Sequence, residues 1–272
     1  MNYLFMKQSV VERKTQSALP KSSKTRYGVL DLLRGIAVIN MIAYHTLWDI
    51  VYIFGVNLPW FRSNGAYVWQ QFICWTFILI SGFCYSFSSK KGKAKRGGVV
   101  FAMGLAVSLC TLAVMPEDCV IFGILTLIGS CMLILLPAEK LFQRLEPVTG
   151  FALSAVLFFL LRNVNRGYIG FEGLNFFRLP DALYRNYLTA YLGFPPSTFS
   201  SSDYFSLVPW IFLFAAGRFL NGIFEKFKLT GCLTAVKAKP IEWIGRHSLT
   251  VYIVHQPVIY GVCLLVFSLI RT

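Results

Sequence analysis

Charged residues are scarce in this chain. They make up 14% of its 272 residues, whereas hydrophobic residues make up 56%. In a soluble domain about a quarter of the residues are charged, and the hydrophobic fraction is smaller than in this chain. The composition excludes an ordinary soluble protein and predicts an integral membrane protein.

Paired cysteine motifs are also missing. The seven cysteines are odd in number, contain no C-x-x-C pair and lie mostly inside apolar runs. This pattern argues against a disulfide framework and against metal ligation, because both are typically signalled by cysteines at paired spacings. We interpret the cysteines as small packing residues of a membrane interior, and we expect no metal cofactor.

The sequence does contain many apolar runs that are long enough to cross a bilayer, which takes roughly 20 residues per helix. They are separated by the segments that hold most of the charge. We predict an all-α membrane protein built as a single bundle of about seven transmembrane helices. The predicted spans are 29–54, 66–88, 98–115, 119–137, 148–162, 204–222 and 245–270.

Acidic residues are few: 12 Asp and Glu stand against 26 Lys and Arg, which gives a net charge of +14. The basic residues fall in short blocks between apolar runs and not along one solvated face, so we do not expect a nucleic-acid partner. The blocks occur in alternate connecting segments, and the positive-inside rule therefore places them and the N-terminus in the cytoplasm. These segments are 1–28, 90–96, 140–144 and 226–239.

Two segments fall outside the predicted spans. Residues 1–28 are polar and basic and contain no cleavable signal, so we predict a disordered cytoplasmic tail ahead of a transmembrane domain over 29–272. Residues 163–203 mix aromatics, prolines and serines without a span-length apolar run. We predict that they form short helices and turns at the outer interface, covering the mouth of the bundle.

The first span carries polar residues that membrane helices rarely tolerate, namely Asp31, Arg34, His45 and Asp49. A charge at the centre of a span costs about 2.5–3.5 kcal/mol, so such residues suggest function. Arg34 and His45 share one helix face, with His45 roughly 16 Å further along the axis. We predict that Asp49, one turn beyond, accepts a hydrogen bond from the His45 imidazole and fixes its tautomer.

The last span repeats this arrangement. Arg246 and His247 lie at its inner end, and Ser248, Tyr252 and His255 follow on one face. Because both spans run from inside to outside, we predict that the imidazoles of the two spans meet while the basic residues gather at the cytoplasmic end. A basic entrance can bind phosphates, and a histidine can take a proton from a hydroxyl or amine that attacks an acyl group.

Taken singly, each of these residues also has a structural explanation. His247 can be a hydrogen-bonded packing residue, Arg34 and Arg246 can extend to lipid headgroups, and Asp49 can lie at the outer interface. Taken together, these residues favour a functional site over separate structural roles, because two of only three histidines fall at mid-span on parallel helices. Two other functions remain open: a small transporter or proton-coupled carrier, in which the histidines relay protons, and a non-catalytic membrane subunit.

The segments LDLLRGIAVINMIAYHTLWD and IGRHSLTVYIVHQPV resemble the bacterial relatives of the heparan-alpha-glucosaminide N-acetyltransferase catalytic domain. That family is related to the acyltransferase-3 enzymes within the transmembrane acyltransferase superfamily. Arg34 and His45 reproduce the R-x10-H signature of those enzymes, and Tyr252, His255 and Pro257 resemble their last-helix signature.

The resemblance implies transfer of an acetyl or other acyl group from cytosolic acyl-CoA to a hydroxyl or amino group of an envelope glycan or lipid-linked sugar. It implies a multi-pass protein of the bacterial plasma membrane, with the bilayer, the donor and the glycan as partners, and it leaves room for a homo-oligomer. His45 would be the general base, in a catalytic set with Arg34, Asp49 and His255. The implied donor-binding residues are Arg34, Arg246, His247, Ser248 and Tyr252.

Overall fold

The computed structural model describes residues 27–234 and 238–270. Nearly all of the predicted tail, residues 1–26, lies outside the described residues. Within the described part, seven helices are long and apolar enough to cross a membrane. This confirms the predicted all-α membrane protein with about seven spans.

The helices and strands follow one another along the chain, and a π-helical turn over Asp49–Ile53 extends the first helix. In chain order the elements are α1 (Gly28–Trp48), α2 (Asn64–Tyr85), α3 (Lys90–Val114), α4 (Ile124–Arg144), α5 (Pro147–Leu160), β1 (Tyr168–Phe171), β2 (Leu174–Arg178), α6 (Tyr187–Leu192), α7 (Leu207–Lys226), α8 (Lys239–Arg246) and α9 (Ser248–Ile270). The helices that qualify as spans are α1 to α5, α7 and α9.

The start of α3 lies eight residues before the predicted 98. The Ser89 hydroxyl caps the helix by accepting the Gly92 N–H, and the Lys-rich first turns are good helix formers. Lys93 is buried there and forms an ion pair with Glu139 of α4. The apolar run alone placed the boundary too late, because it excluded charged residues that belong to the helix.

The start of α4 was predicted too early, at 119 instead of Ile124. The intervening residues are held in an irregular conformation by residues 163–203, the connection predicted to lie at the outer interface, which we call the outer segment. The Ser201 hydroxyl accepts a hydrogen bond from the Ile121 N–H at 2.9 Å and donates one to the Ile121 carbonyl at 3.0 Å. These bonds satisfy backbone groups that a helix would otherwise have paired.

Helix α7 is the centre of the bundle, because it packs against α2, α4 and α5. Their shared core is large and apolar, and it includes the fully buried side chains of Ile78, Leu127, Phe158 and Phe214. Helix α3 packs mainly against α4 and contacts this core through the partly buried Val100.

Helix α1 packs against α2, α8 and α9, so the first and last spans lie side by side as predicted. The contact between α1 and α8 is a backbone crossing made possible by two glycines. A Cβ added at Gly245 would overlap the carbonyl oxygen of Asp31, and one added at Gly35 would overlap that of Ile241. Small residues let membrane helices approach this closely.

The outer segment contains the predicted turns and the short helix α6, and it also contains an antiparallel hairpin, β1–β2, that the sequence analysis missed. The Asn163 amide holds the hairpin together by donating to the Glu172 carbonyl at 2.6 Å and to Asn175 Oδ1 at 2.8 Å. The sequence signal for this hairpin was a pair of short, aromatic-rich runs on either side of Glu172 and Gly173. In the structure Glu172 has a positive φ of 48°, as tight hairpin turns require.

Candidate functional site

The imidazoles of His45 on α1 and His255 on α9 face each other in the bundle. Their ring centroids are 5.0 Å apart and the ring planes meet at 61°. His255 is buried, with 8% of its surface exposed, and His45 is partly buried. The predicted meeting of these two residues is therefore observed, although their chemical roles remain a prediction.

His255 has a defined tautomer. Its Nδ1 is hydrogen-bonded to the backbone carbonyl of Tyr252. A carbonyl oxygen only accepts, so Nδ1 carries a proton, and in the neutral imidazole Nε2 then holds a lone pair. Nε2 is buried and has no hydrogen-bond partner among the described residues. A buried imidazole with an unengaged lone pair is suited to accept a proton.

The predicted hydrogen bond between Asp49 and the His45 imidazole is wrong. Asp49 is fully buried, and its Oδ1 accepts from the Gln256 side chain at 2.7 Å. The prediction assumed a regular α-helix, whereas the backbone at Asp49 enters a π-helical turn with wider i→i+5 spacing. Asp49 therefore connects α1 to α9, one turn beyond the histidine pair.

The ends of α1 and α8 that we predict to face the cytoplasm bring together part of the predicted basic entrance. The Arg246 guanidinium lies 3.6 Å from the Asp31 carboxylate and 3.3 Å from Glu242. Arg34, one turn from Asp31, is partly buried and has no carboxylate partner within the described ranges. Arg34 and Asp31 lie close enough to Cys84 of α2 to interact with it electrostatically.

Two of the predicted donor-binding residues lie at the junction of α8 and α9. His247 is exposed, its Nδ1 is hydrogen-bonded to the Trp243 carbonyl at 2.8 Å, and its ring lies 4.5 Å from the Trp243 ring. It caps α8 and does not join the other two histidines. Ser248 is the first residue of α9 and is partly buried.

Asp203 is a site residue that the sequence analysis missed. It reaches into the bundle from the outer segment, where its carboxylate accepts a hydrogen bond from the Tyr252 hydroxyl at 3.4 Å and another from the Ile124 N–H at the start of α4. Its charge also acts on Tyr44 of α1 and Cys74 of α2. The only sequence signal was a lone carboxylate directly before an apolar span.

Burial raises the pKa of Asp203 to about 6, although the hydrogen bonds from Ile124 and Tyr252 act in the opposite direction. The acid therefore titrates near physiological pH, unlike a solvated aspartate.

We expect Asp203→Asn to stabilise the protein by about 2 kcal/mol at pH 8, with the gain disappearing as the pH falls from 6 towards 4. Because the folded-state pKa exceeds the unfolded-state value, the folded protein binds more protons in this range, and the charged carboxylate costs stability above it. Thermal unfolding in detergent across this pH range measures the effect. Asp181→Asn is the control, because Asp181 lies in the same segment and is exposed. If the difference in stability between wild type and Asp203→Asn does not change with pH, the expectation is contradicted.

The family model for the heparan-alpha-glucosaminide N-acetyltransferase catalytic domain matches residues 26–257. The chain belongs to this family. The matched range includes the histidine pair and Asp203, and it ends within α9. Membership in this family implies a membrane acetyltransferase, and the seven apolar helices of the described residues support a multi-pass membrane protein. No curated protein and no solved structure gives a significant match to the chain.

Proposed function

We propose that this protein transfers an acetyl or other acyl group from acyl-CoA to a hydroxyl or amino group of an envelope glycan or lipid-linked sugar. The observation that carries the proposal is the facing pair His45 and His255, with a buried, unengaged Nε2 on His255. A neutral imidazole of this kind is a general base, which is what an attacking hydroxyl or amine needs.

In the proposed reaction, one imidazole removes the proton from the acceptor hydroxyl or amine while that atom attacks the thioester carbonyl. The carbon–sulfur bond then breaks, the new ester or amide remains on the acceptor, and the proton passes to the departing CoA thiolate. Because His45 and His255 are in ring contact, the second imidazole can stabilise or relay the proton that the first accepts. Tyr252, which connects His255 to Asp203, positions the base.

Donor binding is proposed at the inner end of α1. Arg34 is the stronger candidate for the CoA phosphates, because Arg246 is already paired with Asp31 and Glu242. His247 and Ser248 flank the same entrance at the turn between α8 and α9. The basic segments predict that this end faces the cytoplasm, which would supply acyl-CoA, with the acceptor on the opposite side of a plasma membrane.

The direct test uses membranes that contain the protein, labelled acetyl-CoA and an extract of cell-envelope glycans. We expect labelled acetyl groups in the glycan fraction and thermal stabilisation of the purified protein by acetyl-CoA, because binding to the folded state alone raises its stability. Arg34→Gln should raise the acetyl-CoA concentration needed for half-maximal rate and weaken this stabilisation. Arg62→Gln, at an exposed arginine of the outer loop, is the matched control.

Absence of stabilisation by millimolar acetyl-CoA, together with absence of labelled product, would contradict the proposal. Uptake of a solute driven by a proton gradient, measured in sealed vesicles of the same membranes, would then support the carrier function instead.

A further inference from the structure

The second strand of the hairpin exposes apolar side chains on both of its faces. All five residues of β2 are exposed, and the apolar ones are Leu174 at 63%, Phe176 at 59% and Phe177 at 71%. We call these three residues the hairpin patch. Large apolar side chains in water are unfavourable, and a contiguous group of them usually marks an interaction surface.

The hairpin patch lies next to a lipid-facing surface of the bundle. Strand β1 packs on the end of the fifth span, where the Phe171 and Phe159 rings are 5.1 Å apart. The outward face of that span is apolar and exposed at Leu153, Val156 and Phe159, as a helix in contact with acyl chains requires. The hairpin patch therefore continues the exposed apolar surface of this predicted span.

Arginines flank the hairpin patch. Arg166 and Arg178 are 60% and 69% exposed, although Arg166 lies 3.8 Å from the Glu172 carboxylate and Arg178 lies 3.1 Å from that of Asp181. Arg185 is also exposed. Aromatic rings beside arginines are characteristic of segments at the membrane interface, where rings enter the upper acyl region and guanidinium groups contact lipid phosphates. Lipid can surround both exposed faces of the strand.

The hairpin is also rigidly attached to the bundle. The Arg162 guanidinium donates to the Gln71 side chain at 2.8 Å and to the Tyr67 hydroxyl at 3.2 Å, both on α2, and lies 3.4 Å from the Glu172 carboxylate in the hairpin turn. The depth of the hairpin patch relative to the spans is therefore fixed by the fold.

We propose that the hairpin patch inserts into the interfacial layer of the adjacent leaflet and anchors the outer segment to the bilayer. The apolar side chains would lie among the upper acyl chains, with the flanking arginines at headgroup phosphates. This anchor is independent of the proposed acyl transfer, but it would fix the outer segment that carries Asp203 over the bundle.

The test is fluorescence quenching of a probe at position 177 in the full-length chain, reconstituted in lipid vesicles. In a background with Cys84, Cys110 and Cys232 replaced by Ser, Phe177→Cys is labelled with an environment-sensitive fluorophore. Ser200→Cys, exposed elsewhere in the outer segment, is the matched control. We expect a blue-shifted emission at position 177, several-fold stronger quenching by nitroxide on the upper acyl chain, and several-fold weaker quenching by aqueous iodide.

Equal iodide quenching at the two positions would overturn the proposal, because the hairpin patch would then be in water. Protection from both iodide and lipid nitroxide would also overturn it, because the patch would then be covered by protein, such as a second copy of the chain. Leu174→Cys repeats the measurement at the other end of the strand if Phe177→Cys fails to fold.

Discussion

Replacement of His255 by alanine is expected to reduce acetyl transfer by about 10²–10⁴-fold, the usual contribution of a positioned general base. The physical reason is the Nε2 lone pair, which is buried and free of protein hydrogen bonds in the described part of the chain. His45→Ala should cause a loss of similar order, and the double variant should lose little more, since residues that act as a unit are not additive. Initial rates of labelled acetyl transfer at saturating donor give the comparison.

The variant His255→Asn distinguishes a catalytic base from a residue with a purely structural role. The Asn side-chain amide can still donate to the Tyr252 carbonyl, as Nδ1 does now, but it cannot accept a proton. We expect a variant that unfolds near the wild-type temperature and is as inactive as His255→Ala. Wild-type rates in His255→Asn would remove His255 from the chemistry and leave it as a packing residue.

Gly245→Ala is expected to force α8 away from α1. The added Cβ would overlap the Asp31 carbonyl oxygen and lie 2.9 Å from the Gly35 backbone nitrogen. Neither backbone can give way without moving its helix, so the variant should lose about 3 kcal/mol or more of stability and most of its activity. Thermal unfolding and acetyl transfer on the same preparation measure both effects.

Gly261→Ala is the matched control, because it adds the same methyl group in the last span at a position with nothing within 4 Å. It should be neutral or stabilising by roughly 0.5–1 kcal/mol, since Gly is the weaker helix former. If Gly245→Ala proves as stable and active as Gly261→Ala, the close crossing between α1 and α8 does not exist.

The number of spans and the meeting of His45 with His255 could be predicted from the sequence, because hydropathy and the 3.6-residue period are local properties. Where the period changes, the prediction failed. The π-helical turn directs Asp49 to Gln256, and no residue spacing announces such a turn. The early start of α3 was missed because charged lysines are compatible with a helix when a partner such as Glu139 lies nearby.

Contacts between distant segments could not be predicted. Asp203 comes from a loop and reaches Tyr252, 49 residues later, which no periodic pattern encodes. The β1–β2 hairpin depends on Asn163, whose amide satisfies backbone carbonyls across the turn. In both cases a polar side chain finds partners that only the folded chain brings together.

The central claim is that His45 and His255 face each other between the first and last spans. The most direct measurement is thiol cross-linking of the double variant His45→Cys, His255→Cys with a short bifunctional methanethiosulfonate in membranes, followed by mass spectrometry of the linked peptides. Ring centroids 5.0 Å apart lead us to expect an intramolecular link between positions 45 and 255. Absence of that link, with both thiols shown to react singly, would contradict the arrangement on which the proposed chemistry depends.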